Sequence, residues 1–234
     1  MYKDEIKKYS PLTIEDIIKT CQELVPSNYR RAPWTHPEVD HGRGVLQSED
    51  GLNCYLAGYG EAHALKAFKA IKMLPVSAFN EPFEIFDWGC GQGVGSICLI
   101  QSLKEKGLVN NLKQITLVEP STVALQRAQL NISHVEPNVK VIPINKGLPA
   151  SCPLPFECVS EINVKQPTVI HFFSNILDIG TINLKALSEL ISSKGDKHYV
   201  ICVGPADCQE DRINAFCSNF SEKAATFMPP FRET

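Results

Sequence analysis

Residues 83–95 read Phe-Glu-Ile-Phe-Asp-Trp-Gly-Cys-Gly-Gln-Gly-Val-Gly: a short apolar run, one acid, then glycine at every second position. The pattern predicts a strand that runs into a ligand-binding turn. Gly89, Gly91 and Gly93 follow Asp87 and lack a Cβ, so the backbone can take positive φ and pass very close to a bound molecule. Ile97, Ile100 and Leu103 then recur at helical spacing, and Gly107 is a natural stop for a helix over 94–106. Strand, glycine turn and helix therefore stand in order.

A dinucleotide fingerprint wants G-x-G-x-x-G, its third glycine admitting the helix close to the strand. Counted from Gly89 the third position is Val94, and counted from Gly91 it is Ser96. The spacing D-x-G-x-G-x-G instead resembles motif I of the class I S-adenosylmethionine-dependent methyltransferases. Residues 115–118 form a second apolar run ending in Glu119, and Ala124, Leu125, Ala128 and Ile132 follow on one helical face behind Ser121, a candidate N-cap. An acid at a strand's carboxyl end can accept both hydroxyls of a ribose. The bland alternative is a solvated carboxylate at a helix start, where the helix dipole favours it.

The resemblance covers residues 83–220 and implies an α/β fold. Its core is a Rossmann-like, mainly parallel sheet of order 3-2-1-4-5, with residues 1–80 as an N-terminal helical extension and possible lid and residues 81–234 as the methyltransferase domain. It implies S-adenosyl-L-methionine as cofactor. Asp87, Gly89, Cys90, Gly91 and Gly93 would hold its methionine end and Glu119 its ribose. Asn145 follows a third strand at 139–142, ended by Pro143, where the family places a polar group against adenine; turn chemistry is the equal alternative. Asp87 can at the same time be a capping acid that braces the turn.

Composition sets outer bounds. The chain has 234 residues, 44% of them hydrophobic and 21% charged, enough for one sizeable core with a smaller appendage. A net charge of −3 offers no electrostatic argument for tight nonspecific nucleic-acid binding. The nine cysteines include no C-x-x-C pair and no zinc-like spacing, so no metal site is expected. With a charged first ten residues and no secretory signal, they are expected to be reduced thiols in the cytoplasm. No apolar run has the length to span a membrane.

Upstream of the motif, residues 13–25 predict a helix capped by Thr13. Residues 27–53 have no sustained period and gather Arg30, Arg31, Trp34, His36, His41 and Arg43. A surface loop packing its tryptophan on the domain is expected, with a substrate-recognition lid as the sharper alternative. Residues 55–74 predict a helix with Ala64, Leu65, Phe68 and Ile71 inward. Tyr55, Tyr59 and His63 form one stripe on it. Such stripes usually pack, but the family places cofactor-touching groups on a helix before motif I, so Tyr55 and Tyr59 are candidate cofactor contacts, and an aromatic face suits a sulfonium.

Pro149, Pro153 and Pro155 make residues 146–166 a poor crossover helix. Residues 168–173 predict a strand buried on both faces, with His171 as a hydrogen-bonded core residue. Ligands of open parallel sheets collect beyond the strands' carboxyl ends at the switch in strand order. Ser174 and Asn175 are therefore the catalytic candidates, and Asp178 is expected to cap a helix at 181–191. A fifth strand at 199–203 and a helix at 207–220 complete the pattern, and the last two strands of a complete class I sheet are not expected in the remaining residues. The tetrapeptide of amino-methylating nucleic-acid enzymes is absent after the fourth strand.

The expected function is methyl transfer to an unidentified acceptor: RNA, protein or a small molecule. Transfer from a sulfonium is an in-line displacement in which the protein mainly positions, and a base is needed only if the acceptor must lose a proton. Asp178, His63 and His171 are the candidates, each with a structural role as the simpler account. The alternatives are a noncatalytic binding or assembly domain on the same fold and, disfavoured by the glycine spacing, an NAD-dependent oxidoreductase.

Overall fold

A computed structural model describes residues 1–40, 44–148, 164, 166–193, 196–204 and 210–220. At its centre lies β1 (Phe83–Trp88), buried along its whole length. It pairs in parallel with β2 (Leu112–Val118) on one side and with β4 (Thr168–Ser174) on the other. β3 (Lys140–Ile144) and β5 (Lys197–Val203) are the outer strands, giving the order β3-β2-β1-β4-β5. Strands covered by helices on both faces must be apolar on both, which is why β1 and β4 read as continuous hydrophobic runs.

Alternate residues of β1 serve opposite faces. Phe83 and Ile85 join the larger core, shared with α1 (Tyr2–Ile6), α2 (Ile14–Leu24), α3 (Glu49–Lys72), α4 (Val94–Glu105) and α5 (Thr122–Val135). Phe86 and Trp88 join a second core beneath α6 (Leu184–Ser192) and α7 (Glu210–Ser218). Ile6, Ile17, Leu56 and Ile71 of the N-terminal helices belong to the same apolar cluster as Ile85, Ile97 and Leu117. Asp87 faces this side as well, beneath the start of α4.

Local chemistry explains most element ends. Thr13 and Asp16 form a reciprocal capping box before α2. Ser121 caps α5 through Ala124 N–H, and Gly107 takes φ +68° after α4. Other boundaries differ from expectation. α3 begins at Glu49, because Ser48 caps it and Glu49 and Asp50 supply an acidic first turn. Leu65 on α3 is 49% exposed, and the inward face is carried by Ala64, Ala67 and Ile71. Pro143 does not end β3 but lies within it, tolerated because an edge strand has a side with no ladder partner. Trp34 is 52% exposed; Pro33 and Val39 anchor the segment instead. Asn183, not Asp178, caps α6, which starts at Leu184. His41, Arg43, Pro149, Pro153, Pro155 and the expected helical start at 207 lie outside the described residues.

His171 is fully buried on β4. Trp88 Nε1 donates to His171 Nδ1 at 3.1 Å, and His171 Nε2 meets His198 Nδ1 at 3.1 Å. An indole N–H can only donate, so the proton of His171 sits on Nε2 and passes the bond on to His198. Burial and the neighbouring His198 push its pKa well below the usual histidine range. The residue is a neutral strut across three strands, on the face away from the glycine turn. Among the described residues, no helix is long and apolar enough to cross a membrane.

Candidate ligand site at the strand ends

The glycine turn joins β1 to α4 with Gly89, Gly91 and Gly93 all at positive φ, +65°, +52° and +84°. Gly89 and Cys90 donate to Val118 O at 2.7 and 3.1 Å, tying the turn to the end of β2. The glycines do three different things. A Cβ at Gly89 would lie 1.7 Å from Ile176 Cδ1, at Gly93 3.3 Å from Ala128 and Ile132, and at Gly95 2.7 Å from the Phe172 ring. Only at Gly91 would it meet nothing within 4 Å. Gly93 and Gly95 let helix and strand close up, Gly89 is covered by Ile176, and Gly91 is the one facing open space.

Two carboxylates brace this turn and the helix starts beside it. Asp87 Oδ2 accepts from Ser96 Oγ at 2.7 Å and Ser96 N at 3.2 Å. Glu119 Oε2 accepts from Gly91 N at 3.0 Å, and its Oε1 from Ser121 N at 2.9 Å. Burial raises the Asp87 pKa to about 6, against the pull of the Ser96 bonds and with help from the Glu119 charge. Burial likewise raises that of Glu119, opposed by the Ser121 and Gly91 N–H groups. Asp87 Oδ1 is buried and finds no partner among the described residues.

The same holds for Asn175 Oδ1 and Asp178 Oδ1, just past β4. The parallel register sets Trp88 opposite Phe173, so these residues follow the neighbouring strand out of the sheet beside Gly89. Asn175 holds φ +55°, a conformation asparagine tolerates better than most side chains, and its Nδ2 donates to Ser174 Oγ at 3.1 Å. Tyr55 reaches the cluster from α3: burial, and after it the charges of Glu119, Tyr59 and Asp178, raise its hydroxyl pKa. None of the described ion pairs involves Asp87, Glu119 or Asp178. Nor, among the described residues, do three His, Cys, Asp or Glu side chains stand together as a metal site.

The remaining sequence candidates fall to either side. Cys90 is buried in the turn, its Sγ 3.6 Å from Gly91 O, and burial keeps it a thiol. Asn145 is committed to the β2–α5 loop. Its Nδ2 donates to Glu119 O at 3.0 Å and Pro120 O at 2.9 Å, and its Oδ1 accepts from Thr122 Oγ1 at 2.9 Å. Turn chemistry thus uses both amide hydrogens of that side chain and one lone pair of its oxygen. Tyr55, Tyr59 and His63 stack along α3 with ring centroids 5.6 to 6.0 Å apart. Burial pushes His63 down to about 4, leaving it neutral. Ser96, Ser121 and Ile176 were not legible as site residues, since a serine behind a glycine turn signals a cap and an isoleucine signals core. Asp178 is expected from the sequence as a cap or a candidate base, not as a ligand contact.

Beside the turn, a cavity of about 200 Å³ is lined by Gly89, Val118, Pro120, Leu148, Ile176 and Ile182 among others. It opens where β1, β2 and β4 end, at the switch in strand order. The sheet is Rossmann-like, five parallel strands in the order β3-β2-β1-β4-β5. No protein-family model matches the chain, and no curated protein matches it significantly. Solved structures similar in shape are S-adenosylmethionine-dependent methyltransferases. Magnesium protoporphyrin IX methyltransferase from Synechocystis, with bound SAM, is 14% identical over 82% of each chain with a TM-score of 0.44. A SAM-dependent methyltransferase from Leishmania major is 12% identical over 89% of this chain and 80% of its own, TM-score 0.42. The plantazolicin methyltransferase in complex with a substrate analogue and SAH is 14% identical over 90% and 68%, TM-score 0.42.

Proposed function

We propose that this chain binds S-adenosylmethionine across the ends of β1 and β2 and transfers its methyl group to an acceptor presented beyond β4. The observation that carries this reading is the polarity of the site. Asp87 and Glu119 already accept from the N–H groups of Ser96, Gly91 and Ser121, while Asp87 Oδ1, Asn175 Oδ1 and Asp178 Oδ1 are buried acceptors without a donor among the described residues. A dinucleotide pyrophosphate seats on the N–H groups at the start of a helix, and the buried Asp87 carboxylate bonded to Ser96 there would repel it. A cationic ligand needs acceptors, and an ammonium beside a sulfonium suits this site.

In this reading Asp87, Asn175 and Asp178 hold the amino-acid tail, with Gly91 giving it room. Glu119 has a free lone pair on each oxygen for the ribose hydroxyls, and the apolar walls at Val118, Leu148 and Ile182 take the base. When bound, the sulfonium supplies an activated methyl group. The protein's part is to hold donor and acceptor in line and to exclude water, a restriction of motion on the order of several kcal/mol. Ser174 and Asn175 stand where the acceptor would approach. The acceptor is RNA, protein or a small molecule.

Calorimetry with S-adenosylmethionine, S-adenosylhomocysteine and NAD on one preparation tests the cofactor. Binding of the first two alone is expected, and binding of NAD alone would refute it. Labelled donor added to cell extract then separates an enzyme from a noncatalytic binder: protein-dependent label in RNA, protein or metabolite fractions is expected, and silence in all three favours the binder.

The glycines give a sharper check. Gly91→Ala places a methyl in the open space at φ +52°, with a conformational cost of about 1 kcal/mol but a large loss of S-adenosylhomocysteine affinity. Gly95→Ala drives its methyl into the buried Phe172 ring, and overpacking of this kind costs about 1–3 kcal/mol, partly offset by helix propensity. Its melting temperature should fall while the folded fraction keeps wild-type affinity. The reverse pattern in thermal melts and calorimetry would exclude Gly91 as the ligand-facing glycine.

A further inference from the structure

Arg127 lies on α5, 3% exposed, at the centre of a buried polar network that the methyl-transfer reading does not use. Its Nη1 donates to Asn53 Oδ1 at 2.7 Å and to Gln92 Oε1 at 3.4 Å, and its Nη2 pairs with Glu49. The guanidinium stacks on the Tyr2 ring, 3.8 Å from its centroid. Tyr2 OH in turn donates to Asn131 Oδ1 at 2.8 Å, and Asn131 Nδ2 donates to Gln92 O at 3.3 Å. Gln92 closes the circuit by donating from Nε2 to Leu52 O at 2.9 Å.

Gln92 stands between Gly91 and Gly93. The one side chain of the turn that reaches away from the ligand site is thus gripped by α3 and α5, and its carbonyl by α5. Glycines on both sides of it have no conformational preference of their own for the positive φ they adopt, so an external restraint must select it. We propose that Arg127 is a positioning residue: through Gln92, and with Tyr2 and Asn131, it sets the glycine turn and makes α1 and α3 part of the ligand site. The inference rests on the proposed cofactor reading for its ligand, but the restraint on the turn is independent of any ligand.

The turn faces the amino-acid tail and not the base, so the defect should depend on that tail. Arg127→Met keeps length and apolar contact but removes every donor. It is expected to weaken S-adenosylhomocysteine binding at least tenfold while changing adenosine binding less than twofold. Gln92→Leu should do the same, and the double variant should be no worse than either alone, because both cut one link. Arg127→Lys keeps the cation over Tyr2 and the pair with Glu49 but cannot fork to both amides, so it should rescue stability without rescuing affinity.

Hydrogen exchange of the unliganded protein provides the second readout. Amides of residues 89–94 should exchange at least tenfold faster in Arg127→Met, or in Gln92→Leu should that variant fail to fold. Equal loss of both ligands would mean a general structural role and would overturn the proposal, as would unchanged exchange at the turn in a folded variant. If the wild-type chain binds neither ligand, the cofactor reading fails, and the exchange experiment alone decides the restraint.

Discussion

Asp87→Asn is expected to yield a more stable protein that has lost most of its ligand affinity. Asp87 is 1% exposed, and burial lifts its pKa to about 6 from 3.8. An acid whose folded pKa lies above its unfolded one costs stability where it is ionised. Its contribution is most favourable below about pH 4, declines as the pH rises through 6, and is constant above that. Two units at 1.36 kcal/mol each correspond to roughly 3 kcal/mol, an upper bound because the asparagine must still satisfy its own amide. The carbonyl of Asn can keep accepting from Ser96. Urea denaturation should therefore show the variant more stable by about 1–3 kcal/mol at pH 7.5 and level with wild type near pH 4.

Binding runs the other way. A cation beside Asp87 favours its charged form, so the group's ionisation becomes part of the binding free energy. S-adenosylhomocysteine affinity should fall as the pH drops from 6 towards 4, and at pH 7.5 Asp87→Asn should lose about 1.5–3 kcal/mol, the scale of a charged hydrogen bond. A variant that is destabilised at pH 7.5 yet binds normally would show that the charge serves the turn and not the ligand.

Glu119→Ala should damage both fold and ligand affinity, for one reason. Its carboxylate takes the N–H groups of Gly91 and Ser121, one per oxygen, and truncation leaves both without an acceptor in a site nearly closed to water. Each orphaned group costs about 1–3 kcal/mol, so a loss of about 2–5 kcal/mol in stability is expected. The ribose contact should cost a further 1–3 kcal/mol in affinity. Because the sugar is common to both, adenosine and S-adenosylhomocysteine should weaken by the same factor, unlike the tail-dependent defect expected at Arg127. Titration of the folded variant at low temperature, where it remains native, measures this directly. Wild-type affinity for both ligands there would remove Glu119 from the ribose.

Much of this architecture was legible before any coordinates. Five apolar runs marked the strands, because hydrophobic burial on both faces of a parallel sheet leaves a pattern that does not depend on distant residues, and their order came with the family resemblance. Thr13, Ser121 and Gly107 announced their helix ends, since a cap acts within a few residues of itself. The same locality explains the failures. Leu65 has the right spacing for the α3 core and still faces solvent, because the direction of an inward face is chosen by the partner helices. Pro143 reads as a stop, and only the edge position of β3 makes it admissible.

Sequence alone determined that an acid, a glycine turn and a second acid would stand in series at the ends of two successive strands, since each is a short-range consequence of chain chemistry. Tertiary structure decided which atoms are left free. That Gly91 is open while Gly89 lies under Ile176, that Asn145 spends its amide on a loop, and that Gln92 is held by Arg127 from α5 are all pairings between residues distant in the chain. Whether a buried polar atom is satisfied or still needs a partner depends on every element packed around it, and no one-dimensional pattern records that.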